Sequence, residues 1–216
     1  MKEFYRSNLP HFQQPGQIYF VTWNLKDAIP SKVISDYSDL ISETRINIEK
    51  AILINEPHTS IEKLKYEYHF YRKRMINAYE EILHRNENSS IDISTAGILE
   101  IIENAVSYWQ NIKISNIALC VMPNHVHWVF KTYQFDQDGN QVWLQDILKS
   151  VKNFSARNIN NHLGRSGILW HKESWDTTVR GNKHLHAVIE YIINNPVKAG
   201  LAKHWKDWKG TYIYFD

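Results

Sequence analysis

The sequence contains a single cysteine, Cys120, among its 216 residues. One cysteine cannot form an internal disulfide, and it cannot supply the thiolate cluster of a structural zinc site. Long hydrophobic runs are also missing, because no segment approaches the roughly 20 apolar residues that span a bilayer. Residues 1–4 (MKEF) lack the apolar core of a secretory signal peptide. We therefore expect a soluble, cytoplasmic protein that does not enter a membrane.

Charge is nearly balanced over the whole chain but is unevenly distributed. Hydrophobic residues make up 43% of the sequence and the formal net charge is +2, which are ordinary values for a globular protein. Residues 1–141 contain 14 basic against 17 acidic residues, whereas residues 142–216 contain 11 against 6. A basic C-terminal third is typical of a surface that binds phosphate groups, although such an asymmetry also arises by chance.

Hydrophobic periodicity predicts an α+β domain. Strands are predicted at residues 18–23, 117–121, 125–130 and 168–179, and helices at about 94–109, 142–160 and 182–194. This order is that of a ferredoxin-like antiparallel sheet with helices on one face, followed by an extra C-terminal helix. Two more helices, at residues 31–54 and 61–84, form a predicted insertion at about 31–93, after the first strand. The chain is interpreted as one domain, residues 1–216, that carries this insertion.

Two histidines, His125 and His127, occupy alternate positions in a predicted strand. Side chains at i and i+2 lie on the same face of a strand, roughly 7 Å apart at the backbone. The two imidazoles can therefore converge on one divalent ion. Val126, Trp128 and Phe130 then face the opposite side, where helices can bury them. A histidine pair in a strand is often simply two histidines, so the spacing alone leaves metal binding open.

The last predicted helix carries a tyrosine and an amide beside its apolar stripe. The stripe follows the i, i+3, i+4, i+7 spacing and consists of Leu185, Val188, Ile189, Ile192 and Ile193. Tyr191 lies about 130° from the centre of that stripe, and Asn195 follows one turn later on nearly the same side. We expect both on a face that the helix does not need for packing. Asn195 could instead cap the helix end before Pro196.

A cation would connect the histidine pair with the tyrosine. The unperturbed pKa of a tyrosine hydroxyl is about 10, so the group is a poor nucleophile at neutral pH. A neighbouring divalent cation could polarise the phosphate under attack and stabilise the developing negative charge. Histidines and an amide oxygen leave coordination positions open for phosphate oxygens, which suits Mg²⁺ or Mn²⁺ better than a closed zinc site.

Several motifs, in the same order, resemble those of one known family. Residues 122–129 (MPNHVHWV) resemble the MPNHVH signature of the REP-associated tyrosine transposases, within the HUH (His-hydrophobic-His) single-tyrosine group. Residues 190–201 (EYIINNPVKAGL) resemble that family's tyrosine helix and its NPVKAGL ending. Shorter matches are LPH at residues 9–11, YFVT at 19–22, KNFSAR at 152–157, GILW at 167–170 and DW at 207–208. The resemblance covers about residues 1–30 and 94–212.

The resemblance implies a metal-dependent endonuclease and strand transferase, a transposase, that acts on single-stranded, hairpin or palindromic DNA. By position, His125 and His127 match the metal ligands and Tyr191 matches the nucleophile. Asn195 lies where related enzymes place a third ligand. Cleavage would leave a 5′-phosphotyrosine and a free 3′-hydroxyl. The implied setting is the cytoplasm of a prokaryotic cell, at the nucleoid when the protein is bound to DNA.

Basic and aromatic residues of the C-terminal third are candidate DNA contacts. Basic side chains could track phosphates, and tryptophans could stack on unpaired bases. The basic candidates are Lys149, Lys152, Arg157, Arg165, Lys172, Arg180 and Lys183, and the aromatic candidates are Trp143, Trp170 and Trp175. Each of them, taken singly, could instead be a solvated charge or a core aromatic residue.

Two other functions are compatible with the sequence. One is a non-catalytic, domesticated nucleic-acid-binding domain, and the other is a metal hydrolase that uses water. A covalent adduct between DNA and Tyr191 distinguishes the transposase from both. The sequence leaves open the DNA sequence recognised, the role of the insertion, and the oligomeric state, which could be a monomer or a homodimer.

Overall fold

The computed structural model describes residues 4–6 and 10–214, and Leu9 of the LPH match lies outside them. The elements in chain order are β1 (Phe4–Arg6), β2 (Pro10–Phe12), β3 (Ile18–Asn24), α1 (Ser31–Leu53), α2 (His58–Arg85), α3 (Ala96–Ser107), β4 (Ile114–Val121), β5 (His125–Thr132), α4 (Leu144–His162), β6 (Trp175–Val179), α5 (Gly181–Lys198) and β7 (Thr211–Ile213). Within this described part, no helix is both long enough and apolar enough to cross a bilayer.

Five strands form one antiparallel sheet in the order β6-β3-β5-β4-β7. Without β7, this is the strand order of a ferredoxin-like sheet, in which α3 and α4 are the two connecting helices. The α+β prediction is therefore confirmed. The edge strand β7 was not predicted, because three residues are too few to show an alternating pattern.

One face of the sheet carries a buried aromatic core. Trp23 and Trp128 are fully buried and meet edge-on, with their ring centroids 6.1 Å apart. The indole N–H of Trp128 donates to Asn116 Oδ1 at 2.8 Å, and Asn116 Nδ2 donates to the carbonyl of Val106 in α3 at 3.2 Å. Because the Trp128 indole N–H and the Asn116 amide both have hydrogen-bond partners, this link fastens α3 to the sheet with little desolvation cost.

The opposite face of the sheet is covered by α5. A register shift in β4 between Asn116 and Ala118 turns Ala118 and Cys120 toward this face. Ala118, Cys120 and Val129 form a buried apolar cluster with Val188 of α5. The sheet therefore lies between two layers of helix, with α3 and α4 on one side and α5 on the other.

The helix α5 was predicted to end near residue 194, but it continues through Pro196 to Lys198. A proline near the end of a helix removes only one backbone donor, so the chain tolerates it there. The helix stops at Gly200, whose φ is +71°, and the N–H of Leu201 donates back to the Pro196 carbonyl at 2.9 Å. Asn195 therefore lies inside the helix, which excludes its alternative role as an end cap.

Residues Asp27–Asn88 form a compact unit of their own, made of the hairpin of α1 and α2. Each helix buries one face, and the buried residues are Ile41, Thr44, Ala51, Met75, Tyr79 and Leu83. The insertion predicted at about 31–93 thus ends earlier. Ile93 already belongs to the sheet unit, where it is fully buried and its N–H donates to the Pro123 carbonyl at 2.8 Å.

The segment before β6 is a turn fastened by Lys152 of α4, and not the long strand that the sequence predicted. The Lys152 ammonium group donates to the carbonyls of His171 at 2.7 Å and Lys172 at 3.2 Å, and to Ser174 Oγ at 3.1 Å. Lys152 was predicted to contact DNA phosphate, and this position corrects the prediction. Burial lowers the pKa of Lys152 to about 8, and the charge of Glu173 acts in the opposite direction.

The buried ammonium of Lys152 predicts a pH-dependent stability. Between a folded pKa of about 8 and an unfolded value near 10.4, the unfolded chain binds the proton more tightly, so stability rises with pH in that window. We expect the free energy of unfolding of the wild type to gain on the order of 1 to 3 kcal/mol over Lys152→Met across the window. Urea unfolding, followed by tryptophan fluorescence at several pH values, measures this difference.

The control for this measurement is Lys149→Met, because Lys149 is an exposed lysine in the same helix. Its pH profile should run parallel to that of the wild type. Parallel profiles for the wild type and Lys152→Met would show that the buried ammonium does not titrate in this range.

Candidate active site

The side chains of His125 and His127 converge on the face of the sheet that α5 covers. Their Nε2 atoms are 3.0 Å apart, and their rings meet edge-on with centroids 4.7 Å apart. The two side chains are only 1% and 2% exposed. The alternation of side chains along β5 therefore brings both imidazoles together, as the spacing predicted.

Each imidazole is held in place through its other nitrogen. His125 Nδ1 lies 2.6 Å from Asn124 Oδ1, and His127 Nδ1 lies 2.8 Å from Thr22 Oγ1. An oxygen acceptor at Nδ1 favours the tautomer that carries its hydrogen there and leaves a lone pair on Nε2. Two such lone pairs then point into the same space, which is favourable only when a proton or a cation lies between them.

The separation of the two Nε2 atoms suits an octahedral ion. Adjacent ligands of an octahedron with bonds of about 2.1 Å lie about 3 Å apart, whereas ligands of a tetrahedral zinc ion lie about 3.4 Å apart. Among residues 13–214, whose side chains the structure describes, no third histidine, cysteine or carboxylate completes a group that could hold a metal. The amide of Asn195, which is fully buried, has an oxygen of the kind that such a cation binds.

Tyr191 of α5 packs directly against the histidine pair. Its ring meets His127 edge-on with centroids 5.3 Å apart, and it meets Phe20 of β3 at 5.7 Å. The ammonium nitrogen of Lys198 lies 4.9 Å from the centroid of the same ring. The structure therefore brings the predicted nucleophile and the predicted ligands into one site and adds a positive charge to it.

The face of α5 that contacts the sheet is wider than the predicted one. We expected Tyr191 and Asn195 on a face without a role in packing, yet Asn195 is fully buried and Tyr191 packs half-buried against the core. Val188, Tyr191, Ile192 and Asn195 follow the i, i+3, i+4, i+7 spacing and form the stripe that faces the sheet. The predicted stripe is confirmed at Val188 and Ile192, with Leu185 and Ile189 packed against the same cluster. Hydropathy left out Tyr191 and Asn195 because it counts tyrosine and asparagine as surface residues.

Three contributors to the site were not predicted, namely Thr22, Asn124 and Lys198. Thr22 lies directly opposite His127 in the pairing of β3 with β5, and this register cannot be read from the local sequence. Asn124 precedes His125 within the MPNHVHWV motif, so its position next to a histidine ligand was an available signal. Lys198 was missed because the helix was predicted to end before Pro196. In the structure α5 continues to Lys198, which places this residue two helical turns after Tyr191.

The predicted stacking of Trp170 on DNA was wrong. Its side chain is only 5% exposed, its indole N–H donates to Ser155 Oγ at 3.0 Å, and its ring meets Trp23 at 6.1 Å. Trp143 is likewise buried. Both indoles are parts of the core, so neither can receive an unpaired base.

The other candidate DNA contacts lie at least partly on the surface. Trp175 and Arg165 are half-buried, and the exposed cations are Lys149, Arg157, Lys172, Arg180 and Lys183. Their contact with DNA stays a prediction.

No protein-family model matches the chain. A REP-associated tyrosine transposase of Haemophilus influenzae is 24% identical over 114 residues, which are 50% of this chain and 63% of that protein. The REP-associated tyrosine transposase of Escherichia coli (strain K12) is 29% identical over 99 residues, which are 46% of this chain and 54% of that protein. The matched region thus spans less than two thirds of either relative.

A solved structure of a REP-associated tyrosine transposase bound to a REP hairpin aligns with 95% of this chain and 82% of that chain. Its TM-score is 0.47 at 16% identity. The two sequence matches agree with the resemblance carried by the histidine and tyrosine motifs, so the chain is similar to two proteins named as REP-associated tyrosine transposases.

Proposed function

We propose that this protein is a metal-dependent endonuclease and strand transferase that uses Tyr191 as its nucleophile and acts on single-stranded DNA with hairpin or palindromic structure. The observation that carries the proposal is the contact between the Tyr191 and His127 rings, 5.3 Å apart at their centroids. The Nε2 atom of His125 lies 3.0 Å from the Nε2 atom of His127 in the same site. The relationship to proteins named as tyrosine transposases supports the same activity.

The histidine pair would hold Mg²⁺ or Mn²⁺ through its Nε2 atoms, with the amide oxygen of Asn195 as the third protein ligand. A cation bound there would supply Lewis-acid polarisation of the scissile phosphate. Asn124 and Thr22 orient the two imidazoles through their Nδ1 atoms. Such hydrogen bonds raise the basicity of the ligands and fix their direction.

Tyr191 would carry the covalent step. Its hydroxyl oxygen forms a bond to phosphorus, and the bond between phosphorus and the 3′-oxygen breaks. The phenolic proton is released, and the 3′-oxygen takes up a proton to become a hydroxyl. The 5′ end then stays attached as a phosphotyrosine ester, which conserves a reactive bond for rejoining. Contacts with Phe20 and His127 fix the ring, and the charge of Lys198 beside it attracts the phosphate.

The DNA would be held in part by the exposed cations of the C-terminal third, Lys149, Arg157, Lys172, Arg180 and Lys183, together with Arg165. Six basic side chains in one region of sequence give a salt-dependent affinity that does not depend on base identity. Recognition of a particular hairpin would need further contacts to its bases.

Removal of one oxygen atom from the site tests the nucleophile. Tyr191→Phe keeps the ring contacts with His127 and Phe20 but loses the hydroxyl, so we expect loss of the covalent adduct with unchanged DNA affinity. The assay incubates labelled single-stranded DNA from the flanks of the protein's own gene with Mn²⁺ and resolves the products on a denaturing gel. Tyr108→Phe, at a 65% exposed tyrosine, is the control and should form the adduct.

Each of the other outcomes identifies a different function. An adduct that persists in Tyr191→Phe would exclude Tyr191 as the nucleophile. Cleavage without an adduct in the wild type would indicate a hydrolase that uses water. Binding without cleavage, in both Mg²⁺ and Mn²⁺, would indicate a non-catalytic binding domain.

The metal site can be tested without the DNA reaction. Thr22→Val removes the oxygen that holds His127 Nδ1, so we expect Mn²⁺ affinity to fall by about 10-fold or more. His127→Ala should abolish this binding. Isothermal titration calorimetry measures both effects. Thr178→Val, a similar change in β6 on the other face of the sheet, should bind as the wild type does, and equal affinity in Thr22→Val would refute the assigned orientation.

A further inference from the structure

The outward face of α2 carries large aromatic and basic side chains that the helical hairpin does not bury. Tyr66 and Phe70, one turn apart, are 72% and 46% exposed. Lys73 and Arg74 follow at the next turn and are exposed as well. Residues three and four positions apart are neighbours on a helix surface, so these four side chains form one continuous patch. We call it the α2 strip.

The α2 strip has no part in holding the hairpin together. The opposite face of α2 provides the packing through the buried residues Met75, Tyr79 and Leu83. Tyr79 meets Tyr37 of α1 edge-on, with ring centroids 6.2 Å apart. Two large aromatic rings left in water on the other side are therefore not explained by the stability of the hairpin, and clustered exposed aromatic residues mark binding surfaces.

Positive charge dominates the α2 strip. Residues 66–77 contain three basic residues and one acidic residue. Acidic residues at either end of the helix are neutralised locally, because Glu62 pairs with Lys65 at 2.9 Å and Glu81 pairs with Arg85. The guanidinium carbon of Arg74 lies 5.8 Å from the Phe70 centroid, so a cation is held beside one of the two rings.

Aromatic rings next to cations match the chemistry of an unpaired nucleic-acid strand. Its bases can stack on the rings of Tyr66 and Phe70 while its phosphates pair with Lys73 and Arg74. Side chains one turn apart lie about 6 Å apart along the helix, which exceeds the 3.4 Å rise per base of a duplex strand. This spacing favours a strand whose bases are splayed apart over one whose bases are stacked in a duplex.

A second copy of the chain fits this surface less well. A symmetric contact through the α2 strip would put four cations, Lys73 and Arg74 of each copy, into one interface with no carboxylate among the strip's own residues, which is unfavourable. Lysine is also depleted from the centres of protein interfaces. Charge complementarity therefore favours a polyanion as the occupant.

We propose that the α2 strip is a binding site for single-stranded DNA, separate from the chemistry at Tyr191. The choice of DNA over RNA rests on the proposed function. This assignment gives the α1–α2 insertion a role in holding the strand, since the rings supply affinity without selecting a base sequence.

Fluorescence anisotropy with a labelled oligo-dT of about 20 nucleotides, longer than a single binding site of this kind, tests the proposal. All variants are made in the full-length chain with Tyr191→Phe, so that cleavage cannot interfere. The double change Tyr66→Ala and Phe70→Ala should raise Kd by about 10-fold or more, because each stacked base contributes about 1 to 3 kcal/mol. The double change Lys73→Gln and Arg74→Gln should reduce the slope of log K against log salt by about 1.4, or about 0.7 per phosphate contact.

Matched controls separate the α2 strip from general effects of charge and exposure. Lys32→Gln with Lys50→Gln removes two exposed lysines from α1, and Tyr108→Ala removes an exposed ring at the residue that follows α3. Both controls should bind oligo-dT with the wild-type Kd and salt slope. Circular dichroism melting checks that every variant keeps the wild-type helix content.

Several results would overturn the proposal. Wild-type Kd and salt slope in both strip variants would exclude DNA binding at this face. Tighter binding of oligo-U than of oligo-dT would assign the face to RNA, and a dimer lost in the strip variants would assign it to self-association. Formation of the DNA adduct is measured separately in the chain that keeps Tyr191. The proposed nuclease activity and the proposed binding site on α2 can therefore fail independently of each other.

Discussion

The approach of two imidazole nitrogens to 3.0 Å, between His125 and His127, is the interaction on which the candidate site depends. In a buried location, two lone pairs at that distance repel unless a proton or cation lies between them. The fold maintains the contact by fastening each ring from behind, with Thr22 of β3 on one ring and Asn124 on the other. The register of β3 against β5 is therefore part of the chemistry, because a shift by one residue would move Thr22 to the other face.

Local sequence patterns were sufficient for the helices, apart from the end of α5, for the central strands β3, β4 and β5, and for the histidine pair. Alternation along a strand placed His125 and His127 on one face, and helical periodicity located the two connecting helices and the hairpin. Local patterns did not predict the side-chain positions that depend on contacts between residues far apart in the sequence. The partner of His127 is set by strand pairing. Lys152 is half-buried because a turn surrounds its ammonium group, and Trp170 is buried against a neighbouring indole. No local property of a lysine or a tryptophan reveals such surroundings.

The continuation of α5 past Pro196 has consequences for two side chains of the site. Asn195 is buried because it lies within the helix on the stripe that faces the sheet, and Lys198 reaches the Tyr191 ring because it lies two turns after it. A helix that ended before the proline would lose both placements. Gly200, with its φ of +71°, ends the helix only after Lys198 has been placed beside the Tyr191 ring. The residues of the NPVKAGL segment therefore extend and end α5, which is a structural role in addition to the family resemblance.

Chemistry and strand binding place opposite demands on a protein surface. A histidine pair that must converge on one ion needs burial and fixed hydrogen bonds, which a central strand under a helix supplies. Stacking on an unpaired strand needs exposed rings beside exposed cations, which would be costly in the middle of a sheet. A helical hairpin can provide such rings on its outer face while Met75, Tyr79 and Leu83 stabilise its inner face. In the two proposals separate elements carry the two tasks, so the exposed face of α2 can vary without disturbing the buried imidazoles.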